Sequence, residues 1–485
     1  HQSGEPECFR SFNAGAVPMS DGNRRDFLKG TAWMLSAAAA GCVNNRPFGE
    51  YPSVANFTVP PMTKVRIGFV GVGERGTWAV KRISNIPGTE TAALCDLRPQ
   101  QIPPLIEYLN KKKSPGTLHT YAGKDDSWKG LCDDAAVDIV YLCTPADLHA
   151  RMAVYAMNAG KHVMVEVPAA KTLDDCWAIV EASERNRVHC MMLENCVYGE
   201  NELLAWNLCH QGLLGTLTHA EGGYIHLLTW RHLENHFRNR HHQKPGTVVH
   251  TYGNSYPTHA LGPICTYMDM NRGDRMEKVV SMSSLSAGHR EFARHFYKPD
   301  DWQNNIEWRT GDMNTSIIRT ALGRTIMMQI DMSTPRPYSR INLIQGTKGC
   351  FYDYPLRITY SDEPGGQKGH EWFDKKKLEN VRKLHMHPLY KDAGEIAKKI
   401  GGHGGMDFMM DLRWVFCLQN GLPLDMDVYD LASWSSIVPC SADSDRRGGE
   451  VVELPDFTRG AWKTAKPISI GSIDITKMGL ENAHR

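Results

Sequence analysis

Four residues in the second half of the chain carry groups suited to proton transfer near neutral pH. Tyr224 and His226 stand two apart in Gly222-Gly223-Tyr224-Ile225-His226, and Tyr256 and His259 stand three apart in Tyr256-Pro257-Thr258-His259. A phenol and an imidazole are ordinary tools of acid–base catalysis. Two residues apart on a strand share a face; three apart on a helix also share one. Pro257 suits the first turn of such a helix. Any one of these residues alone reads as half-buried aromatic packing, but two Tyr/His pairs point to a site. The interval from His226 to His259 is rich in histidine, including His241-His242, yet holds no His-Glu-x-x-His or similar ligand spacing, so no metal is expected.

A second kind of chemistry is written in Gly71-Val72-Gly73-Glu74-Arg75-Gly76. The run Val65–Val70 before it is apolar and strand-like, and a helical pattern follows. In that setting the first glycine permits a tight turn, the second lets backbone approach a pyrophosphate, and the third allows close helix–strand packing. The helix N-terminus then faces the phosphates. Asp96, at the end of the next strand, is placed to bond ribose hydroxyls and to disfavour a 2′-phosphate, which selects NAD over NADP; Arg98 beside it weakens that preference. Cys143-Thr144-Pro145-Ala146-Asp147-Leu148-His149 forms another turn at the carboxyl end of a strand, where such sheets bind ligands.

These groups need a scaffold. Short apolar runs at Val65–Val70, Thr91–Cys95, Val137–Cys143, His162–Val165 and Val188–Met192 alternate with helical patterns at Gly76–Ile86, Ile102–Lys112, Asp147–Ala159 and Leu173–Arg187. That alternation predicts a doubly wound parallel sheet. From about residue 214 the pattern changes. Thr216–His226, Lys278–Ser284, Asn314–Thr320, Thr325–Met332, Arg340–Gln345 and Leu356–Tyr360 read as strands of an open, mostly antiparallel sheet, with helices returning at Asp407–Leu418 and Val428–Ser436. The fold class is α/β: a Rossmann-type half over residues 63–196, then an α+β substrate half over 197–485.

Residues 1–62 read as an address and a tether. Asn23-Arg24-Arg25-Asp26-Phe27-Leu28-Lys29 before a short apolar run resembles a twin-arginine export signal, and Ala-Ala-Gly-Cys42 resembles a lipoprotein cleavage box, which implies a lipid anchor at Cys42. A periplasmic or envelope-anchored location follows. The odd count of 13 cysteines, several inside apolar runs, suits a protein folded before export without a disulfide framework. A formal charge of +1 and the lack of a basic stripe exclude nucleic acid as an expected partner. The oligomeric state is not legible, and a homo-oligomer is allowed for.

Thr144-Pro145, His149 and Gly160-Lys161-His162-Val163-Met164-Val165-Glu166-Val167-Pro168 resemble the oxidoreductase family of glucose-fructose oxidoreductase and inositol dehydrogenase, over roughly residues 63–360. Dehydrogenases of that family carry Glu-Lys-Pro where this chain has Glu166-Val167-Pro168, and their lysine moves the hydroxyl proton. Valine cannot. Glu166-Val167-Pro168, Leu193-Glu194-Asn195-Cys196, Gly223-Tyr224-Ile225-His226, Tyr256–His259, Asn271-Arg272-Gly273-Asp274 and Pro335-Arg336-Pro337-Tyr338 resemble glycoside hydrolase family 109, the NAD-dependent α-N-acetylgalactosaminidases. That resemblance implies NAD contacts at Glu74, Arg75, Asp96, Ala146, Asp147, Leu148, His149, Glu166, Val167 and Asn195. It implies sugar contacts at Tyr224, at Tyr256, Pro257, Thr258 and His259, and at Tyr338. It also implies an arginine between the two Tyr/His motifs, assigned by spacing to Arg240, with Arg231 or Arg238 as alternatives.

The expected partner is therefore a glycan end, and the expected enzyme a glycosidase that borrows and returns one hydride. In that scheme C3 of the sugar is oxidised, the C2 proton is removed, the glycosidic oxygen leaves by elimination, water adds, and C3 is reduced again. Such a cycle needs no external NAD pool. His259 is the first choice at the C3 hydroxyl, and Tyr224 or Tyr256 at C2. An exported sugar oxidoreductase is the alternative, which Val167 and Asp96 oppose; a non-catalytic sugar-binding lipoprotein is a third.

Overall fold

The structure is a computed structural model that describes residues 51–112, 116–233, 252–362 and 371–480. The export and tether reading of residues before 51 and the Arg240 assignment lie outside these residues.

A six-stranded sheet holds β1 (Val65–Val70), β2 (Thr89–Asp96), β3 (His119–Ala122), β4 (Ile139–Leu142), β5 (His162–Val165) and β6 (Cys190–Met192) in the order β3-β2-β1-β4-β5-β6. All its pairings are parallel. β4 and β5 are buried along their whole length, as strands covered on both faces must be. The order reverses between β1 and β4, and ligands bind at such a switch point, beyond the carboxyl ends of the strands. The glycine turn after β1, Asp96 at the end of β2, Cys143–His149 after β4, Glu166–Pro168 after β5 and Leu193–Asn195 after β6 all lie on that edge. β3 is a strand the sequence reading misses, because its four residues, His-Thr-Tyr-Ala, are only half covered and carry no apolar run.

The second sheet holds β7 (Leu217–Ile225), β8 (Met276–Ser283), β9 (Asn314–Thr320), β10 (Thr325–Asp331), β11 (Leu343–Gly346), β12 (Gly349–Tyr352), β13 (Arg357–Tyr360) and β14 (Val452–Glu453), ordered β13-β12-β11-β7-β10-β9-β8-β14. It is antiparallel except for the β10–β7 pair. The run Arg340–Gln345 is a strand only from Leu343. Ile341 and Asn342 take positive φ (64° and 41°), which interrupts the ladder between Leu343 and Arg340, whose carbonyl still accepts the Gly223 backbone N–H at 2.6 Å.

Two glycines bring the second sheet close to the first. A Cβ on Gly222 of β7 would stand 2.8 Å from Ala260 Cβ and 2.8 Å from Ile264 Cδ1, so only glycine lets the helix Thr258–Tyr267 press on β7 there. A Cβ on Gly262 would stand 2.5 Å from Glu194 Cγ, so its absence makes room for that side chain beneath the same helix. Two helices absent from the sequence reading, Lys375–His385 and Pro388–Ile400, follow the second sheet, and the later helix Met406–Asn420 packs back against the helix Glu74–Ile83 and β1.

Six histidines are buried among the described residues, His149 and five others. Burial pushes His162 and His289 to about 4, His189 and His232 to about 3, and His387 to about 4. The geometry agrees: His162 Nδ1 accepts the His189 backbone N–H at 2.9 Å, and His387 Nδ1 accepts that of Leu389 at 3.1 Å. The unfolded chain protonates these rings near pH 6.5 while the native state does not, so stability falls as pH drops from about 6.5 toward 4. Burial raises two carboxyls, Asp427 to about 6 and Asp411 above its ordinary value, and they titrate with the opposite sign, but the histidines outnumber them. Tm should be flat above pH 7 and fall steadily from pH 6.5 to 4.5; a flat Tm across that range would contradict this.

Candidate active site

The glycine turn forms the floor of a cavity of about 420 Å³. Gly71 has φ +84°, and a Cβ there would stand 2.8 Å from the Cys143 carbonyl oxygen. A Cβ on Gly76 would stand 2.0 Å from the Gly71 carbonyl oxygen. The helix Glu74–Ile83 begins at Gly73 with no side chain capping it, which leaves its first amides for an anion. Asp96 is buried and accepts the Arg98 backbone N–H (2.9 Å) and its Nε–H (3.5 Å), both on Oδ1. A cradle closed by glycine, an uncapped helix start and a buried acid at the second strand end fit a dinucleotide.

Gly71, Gly73, Glu74, Arg75, Asp96, Ala146, Asp147, Leu148, His149, Glu166 and Val167 line this cavity. Gly76 and Asn195 do not: Gly76 packs the turn from beneath, and Asn195 reaches the site only through Asp407, donating Nδ2–H to Oδ1 at 2.7 Å. His149 is nearly fully buried, with its ring nitrogens 2.9 Å from Pro168 O and 2.7 Å from Thr144 O, so it ties the turns after β4 and β5 together. Asp407 is the residue that local sequence could not flag. It lies 332 positions after Arg75, which binds it through both terminal nitrogens (2.8 and 3.0 Å) and gives its Nε–H to Glu166. His403 Nδ1 also bonds Asp407 (2.9 Å). Burial pushes the Asp407 carboxyl up, but the His403 hydrogen bond and the Arg75 charge outweigh it and hold the group well below the usual carboxylate range.

The sugar-side residues meet at one end of this cavity, since Tyr256 lines it as well. Ring centroids lie 4.8 Å apart for Tyr224 and Tyr256, 5.5 Å for Tyr224 and His259, 4.9 Å for Tyr256 and His259, and 5.6 Å for Tyr224 and His226. Tyr338 stands edge-on to His226 at 5.1 Å and is 45% exposed. Arg340 donates Nη1–H to the Tyr338 hydroxyl at 3.2 Å and pairs with the buried Glu202. Pro257 occupies the N-cap of the helix Thr258–Tyr267, and Thr258 is buried behind it. Arg231 lies over the Trp230 ring at 5.2 Å, and its charge acts on both Tyr224 and His226.

The electrostatics sort these groups. Burial pushes the phenols of Tyr224 and Tyr256 well above their ordinary pKa, so both rest as donors. Burial lowers His226, which leaves a neutral imidazole able to accept a proton. His259 gives its Nδ1–H to Glu194 Oε1 at 2.7 Å. Burial pushes the Glu194 carboxyl up, but His259 outweighs it and the net shift is downward. Glu194, Cys196 and His259 hold donor atoms within 4.8 Å of one another, a grouping that could ligate a metal. Burial raises the Cys196 thiol far above its ordinary value, however, and its S–H bonds Asn195 Oδ1 at 3.5 Å, so the grouping reads as a hydrogen-bonded cluster. Three carboxylates beside the Tyr/His cluster are committed to a cation or imidazole: Glu166 and Asp407 to Arg75, Glu194 to His259. None is set as the nucleophile or acid of a paired-carboxylate glycosidase.

The family model for "Oxidoreductase family, NAD-binding Rossmann fold" matches residues 65–194, and that for "Glycosyl hydrolase 109, C-terminal domain" matches 198–464. A Shewanella pealeana protein named "Glycosyl hydrolase family 109 protein" is 43% identical over 92% of this chain and 99% of its own. A Shewanella oneidensis protein named "Alpha-N-acetylgalactosaminidase" is 43% identical over 92% of this chain and 98% of its own. Among solved structures, an oxidoreductase domain protein from Kribbella flavida matches with TM-score 0.62 at 18% identity, over 81% of this chain and all of that one. A levoglucosan dehydrogenase in complex with NADH and levoglucosan matches with TM-score 0.60 at 16% identity, over 81% and 100%. These two share the fold.

Proposed function

The chain belongs to glycosyl hydrolase family 109, and from that membership we propose that it removes terminal α-linked N-acetylgalactosamine, or a closely related sugar, by oxidation, elimination, water addition and re-reduction. The observation that carries the reading is the cluster of Tyr224, His226, Tyr256 and His259, which meets the cavity at Tyr256, with Glu166 and Glu194 beside it already engaged. Bound NAD supplies a reversible acceptor for the hydride of sugar C3.

The chain's own groups do the rest. His259, its Nδ1–H fixed by Glu194, presents Nε2 to the C3 hydroxyl and takes its proton. The ketone at C3 acidifies the C2 proton, which passes to the Tyr224/His226 pair. Tyr224 alone is held protonated by burial, and neutral His226 beside it supplies the basicity. Tyr256, whose phenol burial holds protonated, serves as a donor, and the C2 base is the Tyr224/His226 pair. Tyr338 stacks on the sugar at the mouth. Val167, lining the cavity where related dehydrogenases carry lysine, offers no proton route of its own, which suits a reaction without net oxidation.

A substrate deuterated at C2 or at C3 tests this. The released sugar should lose its C2 deuterium to solvent and keep its C3 deuterium. Retention at both positions would contradict the elimination and leave an ordinary displacement.

We further propose that the protein is exported by the twin-arginine route and resides in the periplasm or on the envelope, from Arg24-Arg25 and the apolar run that follows. Ten cysteines among the described residues, Cys95 to Cys417, are free thiols, consistent with folding before export. Replacing both arginines by lysine should leave the protein in the cytoplasmic fraction; unchanged export would contradict this.

A further inference from the structure

A second cavity, of about 300 Å³, lies beside the sugar-side residue Tyr338, and the reaction described above makes no use of it. Its walls come from the start of the helix Glu200–His210, the helix Pro388–Ile400 and the turn His403–Gly405. Arg340 joins it to the site, because the same guanidinium lines this cavity and gives Nη1–H to the Tyr338 hydroxyl at 3.2 Å. The ring of Tyr354, also on the wall, lies 6.0 Å from that of Tyr338 and 5.5 Å from the Arg340 guanidinium. Glycine keeps the walls tight: a Cβ on Gly199 would stand 2.0 Å from Glu202 Oε2, and one on Gly394 would stand 3.0 Å from the Tyr390 ring. His403 is 62% exposed at its side chain, so the cavity opens to solvent there.

The charged groups around this cavity are already paired. Arg340 holds Glu202, Glu200 holds Arg382 and Lys398, and His403 holds Asp407. Asp353 accepts Asn201 Nδ2–H at 2.9 Å and the Tyr354 backbone N–H at 2.7 Å. The capacity left over is hydrogen bonding without net charge. Arg340 is only 7% exposed, yet its Nε–H has no partner among the described residues, and neither has the buried Oδ1 of Asn201. Burial keeps the Tyr354 phenol protonated, as a donor. A buried donor or acceptor without a partner is costly, so two of them on the wall of one cavity mark a place where a ligand supplies the bonds. An anion or a cation would find its counter-charge taken. A tyrosine ring beside an amide oxygen and a guanidinium N–H suits a neutral pyranose. The volume stands at the small end of the range for bound small molecules, about 300–1,000 Å³, which is room for one ring and not for a run of peptide.

Resting on the glycosidase reading above, we propose that this cavity binds the neutral hexose to which the cleaved N-acetylgalactosamine is attached. Tyr354 lies against that ring, and Asn201 and Arg340 bond its hydroxyls. The opening at His403 lets the rest of the glycan continue outward. Contacts to this second sugar are remote from the reacting carbons, and they select among glycans by raising kcat/KM for those that carry it.

Tyr354→Ala and Asn201→Ala test the proposal on three substrates: 4-nitrophenyl α-N-acetylgalactosaminide, N-acetylgalactosamine α-linked to methyl galactoside, and N-acetylgalactosamine α-linked to serine in a short peptide. The readout is the ratio of kcat/KM between substrates, which does not depend on the fraction of a variant that folds. In both variants the ratio of disaccharide to nitrophenyl glycoside should fall by about 10-fold or more, and the ratio of serine-linked to nitrophenyl substrate should stay within about twofold. An unchanged disaccharide ratio in both variants, or a wild type that cleaves the nitrophenyl glycoside and not the disaccharide, would overturn the proposal and leave the glycosidase reading intact. A fall as large on the serine-linked substrate would overturn the hexose in favour of a peptide. A wild type that cleaves none of the three would overturn the glycosidase reading and the proposal with it.

Discussion

Replacing His259 by asparagine should lower kcat on a nitrophenyl glycoside by about 10²- to 10⁴-fold, the range that a positioned acid–base group supplies. Asparagine is the informative choice. Its amide N–H can stand in for Nδ1–H against Glu194, so the buried carboxylate keeps a donor and the fold is spared. Alanine would leave that carboxylate unpaired, at a cost of about 1–3 kcal/mol or more, and would confound lost chemistry with lost stability. The asparagine variant should therefore retain NAD in full and melt within a few degrees of the parent. A variant that keeps its kcat would remove His259 from the C3 proton transfer.

The second large effect is expected at Asp407. Its two oxygens receive Arg75, Asn195 and His403, and Arg82 lies 3.7 Å away. Asp407→Ala takes one carboxylate from Arg75, which keeps Glu166, and one from the buried Arg82, which keeps Asp411. Removing one partner of a buried ion pair costs about 3–5 kcal/mol. At roughly 2–4 °C per kcal/mol for a large domain, Tm should fall by about 6–20 °C. The same loss frees Arg75 and Glu166 from their set positions on the cavity wall. The purified variant should accordingly carry little NAD, measured in the supernatant after denaturation. Full cofactor content and an unchanged Tm would show that the Arg75–Asp407 pair is incidental.

Much of this site was legible in the sequence because parallel sheets bind at one edge. Gly71, Asp96, Ala146 and Glu166 each follow a strand that the apolar runs identify, so their convergence needs only the sheet order. The two Tyr/His pairs were legible as faces, and Gly222 explains why those faces meet. Glu194 stood next to a flagged residue, Asn195, at the end of β6; its position beyond a parallel strand was the available signal. Asp407 had none. It is brought to Arg75 by a helix that folds back across the first sheet from beyond the second, and no local pattern encodes that return. β3 and the short β12 and β14 were missed for a simpler reason, since strands of two to four half-covered residues carry no period to read. Arg340 was read into a continuous strand, and the positive φ of Ile341 and Asn342, which interrupts that strand beside it, is not marked by glycine.

The central claim is that the cofactor is borrowed and not consumed, and one measurement addresses it directly. Purified protein with no added NAD is given 4-nitrophenyl α-N-acetylgalactosaminide beside other nitrophenyl sugars, with absorbance followed for both nitrophenol and NADH. The account predicts nitrophenol release over many turnovers per protein molecule with no accumulation of NADH. No release from any nitrophenyl sugar, with NADH absorbance appearing only when free sugar is added, would contradict it and identify a sugar oxidoreductase instead.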